Sequence, residues 1–257
     1  MTLNEQYPSL KALMILEVLA RSGGYTGINE ICEATGMSQS SVHRILSEMT
    51  QAGYAERNER YRKYRIGIRA TVMASHFMHS SSLVSYAREE MQRLNQLTGE
   101  TIHLMTISGG SVIYLNKINT IHTIGLMSFI GKTNPIHCTS GGKCMMAFMD
   151  EAAIEEYLSG SERERFTPTT LVTREELLNE FALIRSRGYA VDHNEHHANV
   201  TCIAGPVFDR SHKPVASISV AAPLYRFPIE KAESLAPEII RSCRIVSDRL
   251  SNEDIVV

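Results

Sequence analysis

Residues Ile28–Arg69 constrain this chain more than any other segment. Ile28, Ile31 and Ala34 fall on one helical face, and Gly36-Met37-Ser38 then breaks the pattern. Glycine accepts a positive φ without steric cost, so the break reads as a tight turn. Ser38 can cap the following helix with its side-chain oxygen. Val42, Ile45, Leu46 and Met49 then recur at i, i+3, i+4 and i+7, the spacing of one buried face. The opposite face carries Gln39, Ser40, Ser41, His43 and Arg44, groups suited to base edges and phosphates. Helix, turn and helix in this order place the second helix in a DNA major groove. Two short strand patterns follow, Tyr54–Arg57 and Tyr61–Ile66, around a turn at Asn58-Glu59-Arg60. Between Met37 and Arg69 there are seven Lys or Arg against three Asp or Glu, in a chain whose net charge is −2. A local basic patch on a mildly acidic chain is the electrostatic footprint of phosphate contact. Arg44 suits a guanine edge or a phosphate, Gln39 an adenine, and Arg60, Arg62 and Lys63 the backbone or minor groove.

The basic bias ends near Arg69, and the rest of the chain is acidic. This division predicts a DNA-binding domain over 1–70, a linker helix within 68–82 and a second domain over 83–257. In the second domain, Val84, Ala87, Met91, Leu94 and Leu97 share a helical face, and Gly99 suits the helix end. Thr101–Ile107 and Ser111–Ile118 alternate around Gly109-Gly110 and read as a hairpin. Ile121–Phe129 reads as a third strand. Ser140–Met149 and Glu151–Leu158 read as helices, and Thr173-Arg174-Glu175-Glu176 as a capping box ahead of a helix to Arg187. Strands are expected at Tyr189–Asp192, Val200–Phe208 and Pro214–Ala221. A closing helix is expected over Glu230–Leu250, interrupted or kinked at Pro237. Strands gathered in a sheet with helices around it make an α+β domain.

Five scattered cysteines without a C-x-x-C pair point to reduced thiols in a cytoplasm. No stretch approaches the ~18–20 apolar residues of a membrane span. Three chemical constellations carry little. Ser140-Gly141-Gly142-Lys143 fits the S-x-x-K pattern of some serine acylases, but the companion motifs K-T-G and S-D-N are absent. His193, His196 and His197 lie near Asp192, Glu195 and Cys202 at spacings that match no standard zinc site, so no metal is expected. His137 and Cys138 lack a third, orienting residue for thiol catalysis. Neither an enzyme nor a cofactor is expected.

Five blocks in order give the chain a family likeness: Gly36–Leu46, Gly99–Leu104, Pro135–Lys143, Arg187–Asp192 and Cys202–Asp209. Together they resemble the IclR-type bacterial transcription regulators over nearly the whole length, and most nearly the sugar-acid branch of the 2-keto-3-deoxygluconate regulators. The resemblance implies a winged helix-turn-helix domain joined to a GAF-like effector-binding domain. It also implies a homodimer, commonly a dimer of dimers, that binds operator DNA. It places a pocket for a small carboxylate at Ser140, Gly141, Asp192, Cys202 and Ser219, with an apolar wall of Leu126, Met127, Phe129 and Ile136. Thr139-Ser140-Gly141-Gly142 leads into a helix, and free N–H groups at a helix N-terminus hold anions. Asp192 would repel a carboxylate, so it is expected to accept from a hydroxyl at the other end of the ligand, which suits a sugar acid. Several family members carry a serine where this chain has Ala221, which removes one polar contact. A repressor is the expected sign of control; an activator, or an enzyme acting on a small acid, is the alternative.

Overall fold

The computed structural model describes residues 10–160 and 162–252. The chain divides into two compact units between Ser80 and Ser81.

The first unit opens with three helices, α1 (Lys11–Arg21), α2 (Ile28–Thr35) and α3 (Gln39–Gln51). Each has a single apolar face, and these meet in a core of Ile15, Leu19, Ile31, Val42, Ile45, Leu46 and Met49. Gly36 closes α2 in the left-handed region, with φ 67°, and donates its N–H to the Cys32 carbonyl. Ser38 caps α3 by accepting from the Ser41 amide. Strands β1 (Ala55–Asn58) and β2 (Lys63–Ile66) pair antiparallel, with Ala55 opposite Ile66. Thr26 adds a bridge to Tyr64 through two backbone hydrogen bonds, which ties the hairpin to the helical core. Helix α4 (Arg69–Ser80) follows.

The second unit is a six-stranded antiparallel sheet in the order β5-β4-β3-β8-β7-β6. Its strands are β3 (Thr101–Ser108), β4 (Ser111–Ile118), β5 (Thr133–Asn134), β6 (Ala190–Asp192), β7 (Val200–Phe208) and β8 (Pro214–Pro223). Its helices are α5 (Ser82–Thr98), α6 (Ser140–Ala147), α7 (Glu151–Leu158), α8 (Arg174–Arg187), α9 (Ile229–Ser234) and α10 (Ala236–Ser251). Because strand side chains alternate, the sheet has two distinct faces. One face meets α5 and α10. Gly205 on β7 faces α10 so closely that a Cβ would lie 2.8 Å from both Cys243 Sγ and Ile239 Cγ2. The other face meets α6, whose Cys144 and Met146 join Met105, Ala204 and Phe181 of α8 in one core. The Thr173–Glu176 capping box opens α8 as the spacing predicts.

One expectation fails here. Residues Ile121–Phe129 form no strand. Their carbonyls are taken by side chains instead: Lys117 Nζ donates to Leu126 and Ser128, and Arg226 to Ile124. With those groups satisfied locally, apolar residues face solvent, Ile121 at 76% and Phe129 at 65% exposure. The closing segment is interrupted beside Pro237, one of the two expected outcomes: α9 ends at Ser234 and α10 begins at Ala236. Pro237 occupies the first turn of α10, where its missing N–H costs nothing.

Replacing Gly205 by Ala should overpack the seam between β7 and α10 and cost about 1–3 kcal/mol. Urea unfolding monitored by circular dichroism reads this as a lowered midpoint with unchanged slope.

Candidate functional site

The sequence-predicted DNA residues lie together on the first unit. Gln39, Ser40, His43 and Arg44 are exposed on α3, and Ser41 is half-buried. The hydroxyls of Ser40 and Ser41 lie 3.2 and 3.0 Å from that of Ser38. Ser38 is therefore committed to the helix start. Arg44 is exposed but pairs with Glu48 at 2.7 Å, one turn on. On the hairpin, Lys63 pairs with Glu30 at 3.8 Å, Arg57 with Glu59 at 3.3 Å, and Arg65 with Glu56 at 2.8 Å. Arg60 and Arg62 make no ion pair among the described residues, and Arg62 holds a positive φ of 50° at the turn. Arg60 lies over the Tyr61 ring at 5.3 Å. The basic count thus overstates the charge on offer, which concentrates at the hairpin tip.

The second unit encloses a cavity of about 230 Å³ over the α6 face of the sheet. Ser140, Gly141, Asp192, Cys202 and Ser219 all line it, as do Leu126 and Met127. Strand pairing explains the convergence: Cys202 on β7 lies opposite Ala221 on β8, and Ser219 lies opposite His103 on β3. Helix α6 starts over these strands because Gly141 has no Cβ; one there would lie 2.2 Å from Met105 Cε and 2.6 Å from Ser217 Oγ. Thr139 caps the helix by accepting from the Gly142 amide at 3.3 Å. Ser140 and Ser219 are 3% and 2% exposed. Neither hydroxyl has a hydrogen-bond partner among the described residues, and both line the cavity.

Two wall residues are misplaced by the sequence reading. Ile136 is buried in the core with Met105, Val112 and Met146, where apolar neighbours surround it, and it does not line the cavity. Phe129 is carried outward by its loop and also stays clear of it. The sequence reading in turn missed His103, Tyr114, Lys132, Asn134, His196 and His197. Alternation along β3 would have placed His103 beside Met105, but only the sheet order brings either to the cavity. His103 stacks on Tyr114 with ring centroids 4.4 Å apart, and its Nε2 lies 2.8 Å from Ser128 Oγ. Burial, aided by the Lys117 and Lys132 charges, holds its pKa down to about 3.

Below the cavity lies a buried charge cluster. The Lys143 ammonium is wholly buried and pairs with Glu195, with Glu180 at 3.3 Å and with the Val191 carbonyl at 3.0 Å. It is therefore no base for Ser140. Asp192 accepts the Glu195 amide, and the Cys202 thiol lies against its carboxylate. Burial first, and the Glu195 charge second, push Asp192 up to about 7. Cys138 is also driven well above its ordinary range by burial, so it is a poor nucleophile. Among the described residues no group of three or more His, Cys, Asp or Glu could hold a metal ion.

Comparison with known proteins agrees with this architecture. Residues 10–59 match the IclR helix-turn-helix domain, and residues 75–248 match the bacterial transcriptional regulator IclR C-terminal domain. The HTH-type transcriptional regulator KdgR of Dickeya chrysanthemi is 32% identical over 95% of this chain and 80% of its own length. The transcriptional repressor IclR of Escherichia coli is 26% identical over 92% of this chain and 87% of its own. The crystal structure of Thermotoga maritima IclR matches with a TM-score of 0.72 at 28% identity, covering 93% of this chain and 97% of that one. The matched family models, one for each unit, and the matched relatives are those of DNA-binding transcription regulators. The chain belongs to the IclR family.

The Asp192 shift has a stability consequence. The folded protein keeps on Asp192 a proton that the unfolded chain releases from about pH 3.8. Its stabilising contribution is full below that pH and is lost as pH rises to about 7. Urea midpoints of wild type and Asp192→Asn, measured across this window, should diverge, with the wild type losing more as pH rises. Parallel curves would show that Asp192 titrates as an ordinary surface carboxyl.

Proposed function

We propose that this protein is a repressor of a sugar-acid or related carboxylate operon, released or retained on DNA by a small hydroxylated acid bound in the second unit. The observation that carries the reading is that the buried hydroxyls of Ser140, at the α6 N-terminus, and Ser219, on β8, line one cavity without a hydrogen-bond partner among the described residues. Buried polar groups are rarely left without partners in a native protein, so such a pair supports a ligand in this cavity. The Ser140 and Gly141 end of α6 offers N–H groups to a carboxylate. Asp192, near neutrality in its titration, can donate to or accept from a ligand hydroxyl. Its protonated form also removes the repulsion of an anion that its charge alone would impose.

On DNA, α3 would enter the major groove with Gln39, Ser40, His43 and Arg44, while Arg60, Arg62 and Lys63 meet the backbone or minor groove. Ser38 and Ser41 support the helix start. The protein would act in the cytoplasm as a homodimer or dimer of dimers, with recognition helices about 34 Å apart on successive turns of one operator face. An acid that binds the DNA-free geometry better lowers operator affinity by its differential affinity for the two states. Repression, rather than activation, is supported by the E. coli repressor among the relatives.

Fluorescence polarisation on DNA from upstream of the gene, with scrambled DNA as control and a panel of sugar acids, tests this. Operator binding should exceed the control by at least ~10³-fold and change with one acid. Equal, weak binding to all fragments would overturn the regulator reading of the α3 surface. Arg44→Ala should weaken specific binding by about 1–3 kcal/mol. If that variant kept wild-type affinity and sequence preference, the assignment of α3 residues to base edges would be wrong.

A further inference from the structure

The cations near the cavity differ in how their charge is used. Lys117 donates to two loop carbonyls at 3.2 and 2.6 Å. Lys143 is held by two carboxylates and a carbonyl. Arg226 is paired with Glu100 at 2.6 Å. Lys132 is the one Lys or Arg that lines the cavity. It is half-buried and makes no ion pair among the described residues. Its ammonium donates one long hydrogen bond, 3.3 Å, to the Met127 carbonyl. The charge nevertheless reaches across the cavity. After burial itself, it is what holds His197 below its ordinary range, and it adds to the depression of His196 and His103. Those three rings line the same cavity as Lys132. Asp192, the cavity's carboxylate, already accepts the Glu195 amide and stands beside the Cys202 thiol.

A half-buried cation without a carboxylate, beside two hydroxyls without partners, lacks an anion. We propose that Lys132 is a direct ligand of the effector, and that its ammonium makes the pocket selective for the ionised form of a small hydroxylated acid over neutral polyols or amides of the same skeleton. The proposal rests on the effector reading above and extends it. Ser140, Gly141 and Ser219 supply hydrogen bonds that a neutral hydroxylated compound could also use. Only Lys132 supplies a full charge. The bond to Met127 breaks or is shared when the anion arrives, at little cost given its length.

Isothermal titration calorimetry of the full-length protein tests this with D-gluconate, D-galacturonate and 2-keto-3-deoxygluconate, and with sorbitol and gluconamide as neutral counterparts. Wild type should bind at least one acid and neither neutral compound, and affinity should fall as NaCl rises from about 20 to about 300 mM. Lys132→Met should weaken the acid by at least ~10-fold and lose most of the salt dependence. Lys132→Arg should restore binding to within about threefold, because it keeps the charge. Lys213→Met, which removes an exposed lysine from the turn between β7 and β8, should bind as wild type. Wild-type affinity and salt dependence in Lys132→Met would overturn the proposal while leaving the effector reading intact. Equal losses in the Met and Arg variants, with lowered melting temperatures, would make Lys132 a shaper of its loop and overturn it too. A wild type that binds none of the acids overturns both readings.

Discussion

The second unit is organised around one buried ammonium. Lys143 projects from α6, has no exposed surface, and is shared between Glu195 and Glu180. Arg187 closes the far side by pairing with Glu180 at 3.0 Å. Taking such charges out of water is expensive unless each is well paired, and removing one partner leaves an uncompensated charge. The cluster therefore fixes three things at once. It holds α6 against α8, it positions the segment after β6 that carries Glu195, and it sets the electrostatic floor on which Asp192 rests. Two cations face three carboxylates in this neighbourhood, so the balance is restored when Asp192 carries a proton. The cavity wall and the helix that opens onto it are thus placed by a single buried lysine.

The backbone was readable wherever a local rule governs. Periodicity located α3 and α5, capping residues fixed the starts of α3 and α8, and the glycine pair at 109–110 fixed the hairpin of β3 and β4. Reading failed where tertiary partners outweigh local preference. Ile121–Phe129 has the composition of a strand, yet lysine and arginine side chains from elsewhere claim its carbonyls. The split between α9 and α10 was signalled by Pro237, since proline fits a first turn better than a helix interior.

For the cavity, the family likeness and the helix-terminus argument brought Ser140, Gly141, Asp192, Cys202 and Ser219 to one place. Ile136 and Phe129 were misjudged because hydrophobicity alone does not say whether a side chain faces a core, a cavity or water. His103 and Lys132 were invisible for a different reason. His103 is brought to the cavity by a strand order, β4-β3-β8-β7, in which sequence-distant strands become neighbours, and Lys132 by the segment before β5, which accepts the Tyr114 amide of β4.

The hairpin of the first unit is crowded with opposite charges. Arg65, Arg57 and Lys63 each have an acidic partner in solvent, and Arg44 has Glu48. Exposed pairs of this kind stabilise the fold little. Their larger effect falls on encounters with random DNA. A phosphate that approaches these cations must displace a carboxylate already in place, so fewer counterions are released than seven basic residues would suggest. Weak hold on arbitrary sequence would keep a regulator moving along the chromosome and, on the reading of α3 proposed above, leave residence to the base edges.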